Sequence, residues 1–247
     1  MKQNIYDDPQ FFKNYITLRE SGVTYNDFIE QPAIKSMIPD LRGKTVLDLG
    51  CGDGHFSKYC VENGAQKVIG VDISENMIER ANKINSDQRI EFMRLPMEDL
   101  TFAAGQTFDV IISSLAIHYI RDYSALIQNM YEMLANNGEF IFSIEHPIVT
   151  ARKGSGHWVK DEEGTRQHWA LDHYQEEGLR EHDWFVDGVV VYHRTISTLI
   201  NTLIENGFAL NRILEPQSTP AGIEKMPKLI NETRRPSFLV LKATIKP

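Results

Sequence analysis

The sequence predicts an α/β fold, in which a parallel β-sheet has helices on both faces. From Lys44 onward, short apolar runs alternate with amphipathic helical segments, the order typical of βαβ units. The first of these runs, which begins near Val46, ends in a glycine-rich turn at Gly50. The chain of 247 residues is long enough for one large domain with an ample core. In such a sheet the crossovers are right-handed, and ligands bind beyond the carboxyl ends of the strands.

The first 43 residues predict helices that lie outside this sheet. Pro9 suits the start of one helix and Gly22 its end, and a second helix follows over residues 27–38, before Pro39. One face of the first helix is largely apolar and aromatic, with Phe11, Phe12, Tyr15, Leu18 and Arg19. Stripes of this kind usually pack on a core, and that interpretation stays open here. We therefore predict a helical cover over residues 1–43 and a main domain over residues 44–247.

The alternating pattern places five strands at residues 45–49, 67–71, 90–94, 108–113 and 139–144. Helices fit between them at residues 55–62, 75–84 and 125–134. Ser74 is a suitable N-cap for the second of these helices, which directs Met77, Ile78 and Ala81 inward. Ser124 can open the third, and Asn137-Gly138 can close it. A further apolar helix is predicted over residues 195–206, followed by two strands at 208–214 and 237–245.

The segment from Gly50 to Gly54, called the glycine loop below, allows a ligand to approach the backbone closely because it lacks Cβ atoms at three positions. A dinucleotide fingerprint requires a further glycine where His55 stands. Asp48 and Asp53 would also repel a pyrophosphate. At the end of the next strand, Asp72 can accept both hydroxyls of a ribose. The pattern favours an adenosine ligand without a phosphate chain.

Beyond this point the sequence resembles the class I S-adenosylmethionine-dependent methyltransferases, in particular the small-molecule group related to ubiquinone and menaquinone biosynthesis enzymes (methyltransferase type 11). VLDLGCGDG and VIGVDIS resemble the first two motifs of that family, and LPMEDLTF, FDVIISSLAIHYI and LANNGEF continue the resemblance over about residues 44–142. It implies S-adenosylmethionine as cofactor and S-adenosylhomocysteine as product. It also implies a Rossmann-like, mostly parallel sheet whose last strand is antiparallel.

The resemblance assigns a set of cofactor contacts. Asp48, or the backbone at Gly50 and Gly52, would receive the amino-acid end of the cofactor, and Asp72 its ribose. Many relatives have an acidic residue where Pro96 stands, so the adenine contact is expected from the residues that follow it. The expected cofactor-binding residues are Asp48, Gly50, Cys51, Gly52, Asp72, Ile73, Met77, Met97, Glu98 and Leu115.

The segment after the fourth strand, SSLAIHY, bears on the reaction type. It contains no Asn-Pro-Pro-Tyr or Asp-Pro-Pro-Tyr sequence, which disfavours methylation of exocyclic or amide nitrogens. Covalent catalysis is disfavoured because Cys51 belongs to the glycine loop and Cys60 to the following helix. Direct displacement remains, with an oxygen or nitrogen acceptor favoured over carbon. His118 is the candidate base, since neutral histidine accepts protons near neutral pH, although it could equally form a wall of the pocket.

Residues 146–193, called the insertion below, are too long for an ordinary connection and predict a substrate lid. Within it, the segment 184–192 is expected to form a hairpin that turns at Asp187-Gly188. The insertion holds six of the eight histidines, expected to be solvated because no His-Glu-x-x-His motif indicates a metal. The candidate substrate-binding residues are Tyr15, Arg19, Tyr119, His146 and Trp184.

Charge and composition disfavour some classes of binding partner. The net charge of -8 and the lack of a basic tract longer than Arg234-Arg235 disfavour nucleic acid. No apolar run approaches the roughly 18 residues that span a bilayer, and the N-terminus lacks a signal core. Two cysteines suggest neither a disulfide framework nor a zinc site. We expect a soluble cytoplasmic enzyme with a small-molecule substrate. The alternatives are an RNA or protein methyltransferase, or a non-catalytic S-adenosylmethionine-binding regulator.

Overall fold

The computed structural model describes residues 2–100, 106–154 and 158–246. The strands in these ranges are β1 (Thr45–Leu49), β2 (Lys67–Asp72), β3 (Ile90–Arg94), β4 (Phe108–Ser114), β5 (Leu134–Glu145), β6 (Trp158–Lys160), β7 (Arg166–Trp169), β8 (Gly178–Trp184), β9 (Val186–His193), β10 (Phe208–Leu214) and β11 (Phe238–Ile245). The helices are α1 (Pro9–Glu20), α2 (Gln31–Met37), α3 (His55–Glu62), α4 (Glu75–Ile84), α5 (Tyr123–Met133), α6 (Pro147–Thr150), α7 (Ile196–Glu205) and α8 (Pro220–Lys225).

Seven strands form the central sheet, in the order β10-β11-β5-β4-β1-β2-β3. Strands β1 to β5 pair in parallel, and β11 runs antiparallel to both β5 and β10. The predicted Rossmann-like fold with an antiparallel last strand is therefore confirmed. The carboxyl ends of β1, β2, β4 and β5 meet at one edge of the sheet, which is where a ligand would be bound.

The sheet has a core on each face because side chains alternate along its strands. On one face, Leu47 and Ile111 pack with apolar residues of α5 and α7. On the other, Val46 and Val110 pack with residues of α2 and α3. The predicted cap of α4 is confirmed, since the Ser74 hydroxyl accepts a hydrogen bond from the Met77 amide at 3.1 Å.

The expected bounds of the helix before β5 were wrong. Asp122, not Ser124, caps α5, because its carboxylate accepts the Ala125 amide at 3.0 Å. The helix ends at Met133, since β5 already begins at Leu134. Asn137, expected in the closing turn, lies within β5 with a φ of 62°.

The N-terminal helices occur where they were predicted. A π-helical turn over Asn26–Glu30 leads directly into α2. The aromatic face of α1 packs on the tip of the β8–β9 hairpin: Phe11 lies edge-on to Trp184, with ring centroids 5.2 Å apart. The packing interpretation therefore holds for Phe11, which is fully buried.

The insertion contains α6 and two hairpins, β6–β7 and β8–β9. The predicted second hairpin exists, but it turns at Phe185, with a φ of 59°, and not at Asp187-Gly188. Phe185 stacks on Trp184 at 5.1 Å and meets Phe11 at 5.7 Å. These aromatic contacts hold a turn that has no glycine signal in the sequence.

The polar stretch before β11, for which no helix was predicted, contains α8 and a 3-10 helix over Pro227–Thr233. Thr219 caps α8 by accepting the Gly222 amide at 3.0 Å. Across the described ranges, every helix is too short or too polar to traverse a bilayer.

Candidate active site

A cavity of about 1330 Å³ lies at the carboxyl ends of the strands. It extends from the glycine loop and Asp72, called the cofactor end below, to Glu145 and Phe238, called the acceptor end. All ten expected cofactor-binding residues line it: Asp48, Gly50, Cys51, Gly52, Asp72, Ile73, Met77, Met97, Glu98 and Leu115.

The glycine loop has the backbone that its sequence predicts. Gly50 and Gly52 have φ angles of 69° and 53°, which side chains rarely adopt. A Cβ at Gly50 would lie 2.4 Å from the Ala116 Cβ, whereas one at Gly52 would meet no protein atom within 4 Å. The loop thus packs tightly at Gly50 and leaves room for a ligand to contact the backbone at Gly52.

Asp72 joins the loop to the start of α4. One carboxylate oxygen accepts the Gly52 amide and the other accepts the Ser74 amide, each at 2.9 Å. Burial raises the pKa of Asp72, while these hydrogen bonds oppose the rise. A carboxylate has about four acceptor positions. Two therefore stay available for the hydroxyls of a ribose, and the side chain fits the expected role.

Asp48 is buried beneath the loop, where its carboxylate accepts the Ser57 hydroxyl at 2.6 Å. Burial raises the pKa of Asp48 to about 7, and the nearby charge of Asp72 contributes to the rise. An ammonium group of a bound ligand would favour the ionised carboxylate, because an opposite charge lowers such a pKa. Asp48 is therefore suited to the amino-acid end of the cofactor.

Two apolar side chains that could enclose an adenine ring, Ile73 and Met97, line the cavity. Leu95, which the sequence reasoning missed, lines the same surface. Glu98 lies on the cavity, while the exposed carboxylate of Asp99 pairs with Lys2. The last two residues of the LPMEDLTF motif lie outside the described residues.

His118 lines the cavity from a 3-10 turn after β4. It is 5% exposed, and its Nδ1 has no hydrogen-bond partner among the described residues. Burial, together with the charge of Arg194, lowers the pKa of His118 to about 3. The imidazole is thus neutral at pH 7 but a weak proton acceptor, which favours the pocket-wall alternative.

Three other expected substrate residues line the cavity: Tyr15, Trp184 and Tyr119. These aromatic side chains are called the roof of the cavity below. The roof also includes Tyr6, which sequence periodicity could not reveal because it precedes α1. Its ring lies 5.0 Å from that of Tyr15, and its hydroxyl lies 3.4 Å from the Tyr119 hydroxyl. Arg19 reaches the cavity as well, and its guanidinium donates weakly to the Thr24 hydroxyl at 3.4 Å.

His146 does not line the cavity, contrary to expectation. It is 2% exposed, its Nε2 lies 2.9 Å from the Glu215 carboxylate, and its Nδ1 accepts the Ile148 amide. His193 is also buried, between the Thr150 hydroxyl and a backbone carbonyl. Both are held in the interior, so the expectation of solvated histidines is wrong for these two, and His157 lies outside the described residues.

Sequence reasoning missed two carboxylates near the ends of β4 and β5. Glu30 is fully buried and accepts hydrogen bonds from the hydroxyls of Ser114 and Ser143, at 2.8 and 2.6 Å. Glu145 is the last residue of β5 and lines the cavity. The strand-end rule that selected Asp72 would also have selected Glu145. The structure shows no group of three or more metal-ligating side chains within the ranges it describes.

Comparison with known proteins identifies the family. A family model described as a methyltransferase domain matches residues 47–142, from β1 into β5. The crystal structure of an S-adenosylmethionine-dependent methyltransferase from Mesorhizobium loti is 41% identical, with a TM-score of 0.80 over 87% of this chain and 97% of that one. This chain belongs to the class I S-adenosylmethionine-dependent methyltransferases. The methyltransferase therefore uses S-adenosylmethionine, as its motifs predicted.

Two further relatives differ in how much of the methyltransferase they match. An uncharacterized protein of Haemophilus influenzae is 39% identical over 251 residues, with 98% of this chain and 97% of that protein aligned. A ubiquinone biosynthesis O-methyltransferase of Neisseria meningitidis is 33% identical over 139 residues, 49% of this chain and 58% of that enzyme. The second similarity thus covers about half of this chain. It leaves the acceptor of this methyltransferase open.

Proposed function

We propose that this methyltransferase transfers a methyl group to an oxygen or nitrogen atom of a small-molecule acceptor by direct displacement. The observation that supports this proposal is the continuous cavity of about 1330 Å³ between the glycine loop and Glu145. Sites for one drug-sized ligand usually measure about 300 to 1000 Å³. The cavity is therefore large enough for the cofactor and a small acceptor together.

At the cofactor end, the bound cofactor would supply an electrophilic methyl group on a sulfonium. Asp72 would hold the ribose, and Ile73 and Met97 would enclose the adenine. Asp48 and the backbone at Gly52 would hold the amino-acid end. This arrangement would leave the acceptor end of the cavity for the acceptor.

Four side chains that line the cavity would contact the acceptor: Tyr15, Arg19, Tyr119 and Trp184. The division into a cover over residues 1–43 and a lid over the insertion is part of the same proposal. Its support is the packing of α1 on the β8–β9 hairpin above the cavity. Holding the two reactants in one enclosed site favours displacement because it aligns them and excludes water.

RNA and protein substrates are disfavoured by two features of the chain. The net charge of -8 opposes the approach of a polyanion. Aromatic side chains from α1 and the insertion roof the cavity, which suits a small ligand better than a polymer segment. A cytoplasmic location is part of the proposal, supported by Cys51 and Cys60, both free and buried.

Two measurements test this proposal. Calorimetric titration should show binding of S-adenosylmethionine and S-adenosylhomocysteine, with NAD as the negative control. Incubation with [methyl-³H]S-adenosylmethionine and a bacterial extract, separated by filtration, should then label the small-molecule fraction. Label confined to the RNA or protein fraction would contradict the proposal.

A further inference from the structure

Glu145 occupies the acceptor end of the cavity. Its strand, β5, is separated from β1 by β4 alone, so its carboxyl end lies two strands from the glycine loop. Strand spacing of about 4.8 Å puts it roughly 10 Å across the sheet from β1, and the register puts it three residues, about 10 Å along the strand direction, beyond the end of β1. An acceptor bound in the cavity between the glycine loop and Glu145 would therefore have this carboxylate on the side away from the cofactor end.

The Glu145 carboxylate is free to bind a ligand. None of the described residues donates a hydrogen bond to it, in contrast to Asp48 and Asp72. Arg235 is the cation that acts on it most directly, but that guanidinium is held by the Glu232 carboxylate at 2.9 Å and stacks on Trp169 at 3.8 Å. Glu145 is therefore near a fixed positive charge without being paired to it.

Burial raises the pKa of Glu145 to about 7, and the charge of Arg235 opposes the rise. A carboxylate with this pKa can accept a proton at neutral pH and release it again, which is the requirement for a general base. The charged and titratable groups that face it come from several elements, namely Tyr119 and His118 after β4, Tyr192 and Arg194 at the end of β9, and Arg235 before β11.

We infer that Glu145, and not His118, accepts the proton of the acceptor, and that the acceptor group is a hydroxyl or an amine. This inference rests on the proposed function. A substrate carboxylate would be repelled by ionised Glu145 and would have no proton to lose. The carboxylate at the end of β5 therefore selects the acceptor class as well as assisting the reaction.

The step balances without another reactant. The acceptor oxygen or nitrogen forms a bond to the methyl carbon while the carbon–sulfur bond breaks and sulfur keeps the electron pair. The acceptor's proton moves to an Oε atom of Glu145. The products are the methylated acceptor, S-adenosylhomocysteine and protonated Glu145, which then loses its proton to water.

The test compares Glu145→Gln with His118→Gln and with Glu139→Gln. Glu139 is a matched control because it lies on the same strand and pairs with Lys242 at 2.7 Å, away from the cavity. The probe is [methyl-³H]S-adenosylmethionine with the small-molecule fraction of a bacterial extract. Calorimetry with S-adenosylhomocysteine reports the cofactor site separately.

We expect Glu145→Gln to lower methyl transfer at pH 7 by at least about 100-fold, the range typical of a lost base, while the affinity for S-adenosylhomocysteine changes less than twofold. The rise of activity between pH 5 and 8 should disappear in this variant. Glu145→Asp should restore part of the activity, and His118→Gln should lose less than tenfold. The label should stay in the product in alkali, because methyl ethers and amines resist hydrolysis.

Three results would overturn the inference. The first is Glu145→Gln activity within threefold of Glu139→Gln. The second is volatile, alkali-released label, which indicates a methyl ester. The third is loss of S-adenosylhomocysteine binding in Glu145→Gln, which assigns Glu145 a structural role. If the parent labels no small molecule at all, the proposed function fails first.

Thermal unfolding gives a readout that needs no acceptor. The folded pKa of Glu145 is about 7, above the ordinary value of 4.5, so its stabilising contribution is present below pH 4.5 and is lost as the pH rises through 7. The melting temperature of Glu145→Gln should therefore increase relative to the parent between pH 5 and 8. A constant difference would show that Glu145 does not titrate there.

Discussion

The two ends of the cavity are organised differently. At the cofactor end, Asp48 is held by the Ser57 hydroxyl, and Asp72 by the amides of Gly52 and Ser74. At the acceptor end, Glu145 accepts no hydrogen bond from the described residues. The Nδ1 atom of His118 likewise has no partner among them. At the cofactor end, the protein thus fixes the carboxylates through its own hydrogen bonds. At the acceptor end, the side chains keep their hydrogen-bonding positions available for a ligand.

This comparison predicts that the largest effects come from the backbone of the cofactor end. Gly50→Ala forces a side chain into a left-handed backbone and against the Ala116 Cβ, 2.4 Å away. The two effects together should cost about 2 to 5 kcal/mol of unfolding free energy. Urea denaturation measures this loss.

Gly52→Ala is the matched control for that loss. Its Cβ meets no protein atom, so only the backbone strain of about 1 to 2 kcal/mol applies to folding. The new methyl group would instead occupy ligand space, and calorimetry should show weaker S-adenosylmethionine binding. Equal losses of stability in the two variants would contradict the tight packing assigned to Gly50.

The next effect concerns cofactor affinity. Asp72→Ala removes an acceptor for the ribose and also releases the Gly52 amide, at a cost of about 1 to 3 kcal/mol in binding, or about 5- to 150-fold. Calorimetry with S-adenosylhomocysteine measures it. Asp99→Ala is the control, because that exposed carboxylate pairs with Lys2 and should leave affinity within twofold. Unchanged affinity in Asp72→Ala would remove Asp72 from the site.

The two ends also differ in how far the sequence could predict them. Residues close in sequence form the cofactor end, from β1 through the glycine loop to Asp72, so strand pattern, glycines and carboxylates were sufficient. The same holds for the parallel pairing of β1 to β5, since each βαβ unit is local. The acceptor end is assembled from distant segments: the Tyr6 hydroxyl meets the Tyr119 hydroxyl 113 positions later. No local pattern indicates such a contact.

The errors in the insertion have a similar cause. The hairpin turn was expected at Asp187-Gly188 because local turn propensity favours that pair. The observed turn at Phe185 depends on its contact with Phe11, far away in the sequence. His146 and His193 were expected at the surface. Both are buried instead, and each has a hydrogen-bond partner from another part of the chain. Contacts between residues far apart in the sequence therefore determined both the position of the turn and the burial of the two histidines.

A pH experiment examines the buried acid of the cofactor end. Asp48 has a folded pKa of about 7 against an ordinary value of 3.8, so its stabilising contribution is lost as the pH rises through 7. Asp48→Asn should therefore gain stability relative to the parent by up to about 1.4 kcal/mol per pH unit over that interval. Urea denaturation at pH 5, 6 and 7 measures the gain.

Ser57→Ala is the companion variant for Asp48. Removing the hydroxyl that donates to the carboxylate should raise the pKa of Asp48 further and extend the pH-dependent loss to higher pH. Parallel stability curves for Asp48→Asn and the parent would show that Asp48 ionises in the folded protein as it does in the unfolded chain.

The smallest expected effect concerns the N-terminal segment, which connects the two ends. Asp7 accepts the Ser74 hydroxyl at 2.6 Å and the Asn76 amide at 3.1 Å, at the start of α4 beside Asp72. Gln3 exchanges hydrogen bonds with the backbone of Val190, on the strand that lines the acceptor end. Asp7→Ala should cost about 1 kcal/mol of stability, as other lost helix caps do.

Asp8→Ala is the control variant, because it removes a helix cap but leaves the contact between the N-terminal segment and the start of α4 intact. Asp8 caps α1 by accepting the Gln10 and Phe11 amides, so its removal should cost similar stability without reaching the cofactor end. Although burial raises the pKa of Asp7, its hydrogen bonds lower it overall, so the Asp7→Ala loss should shrink as the pH falls below about 4. Only Asp7→Ala should weaken S-adenosylhomocysteine binding, because Asp7 and Asp72 both hold the Ser74 turn. Equal binding losses in the two variants would mean that the segment stabilises the fold without organising the cofactor end.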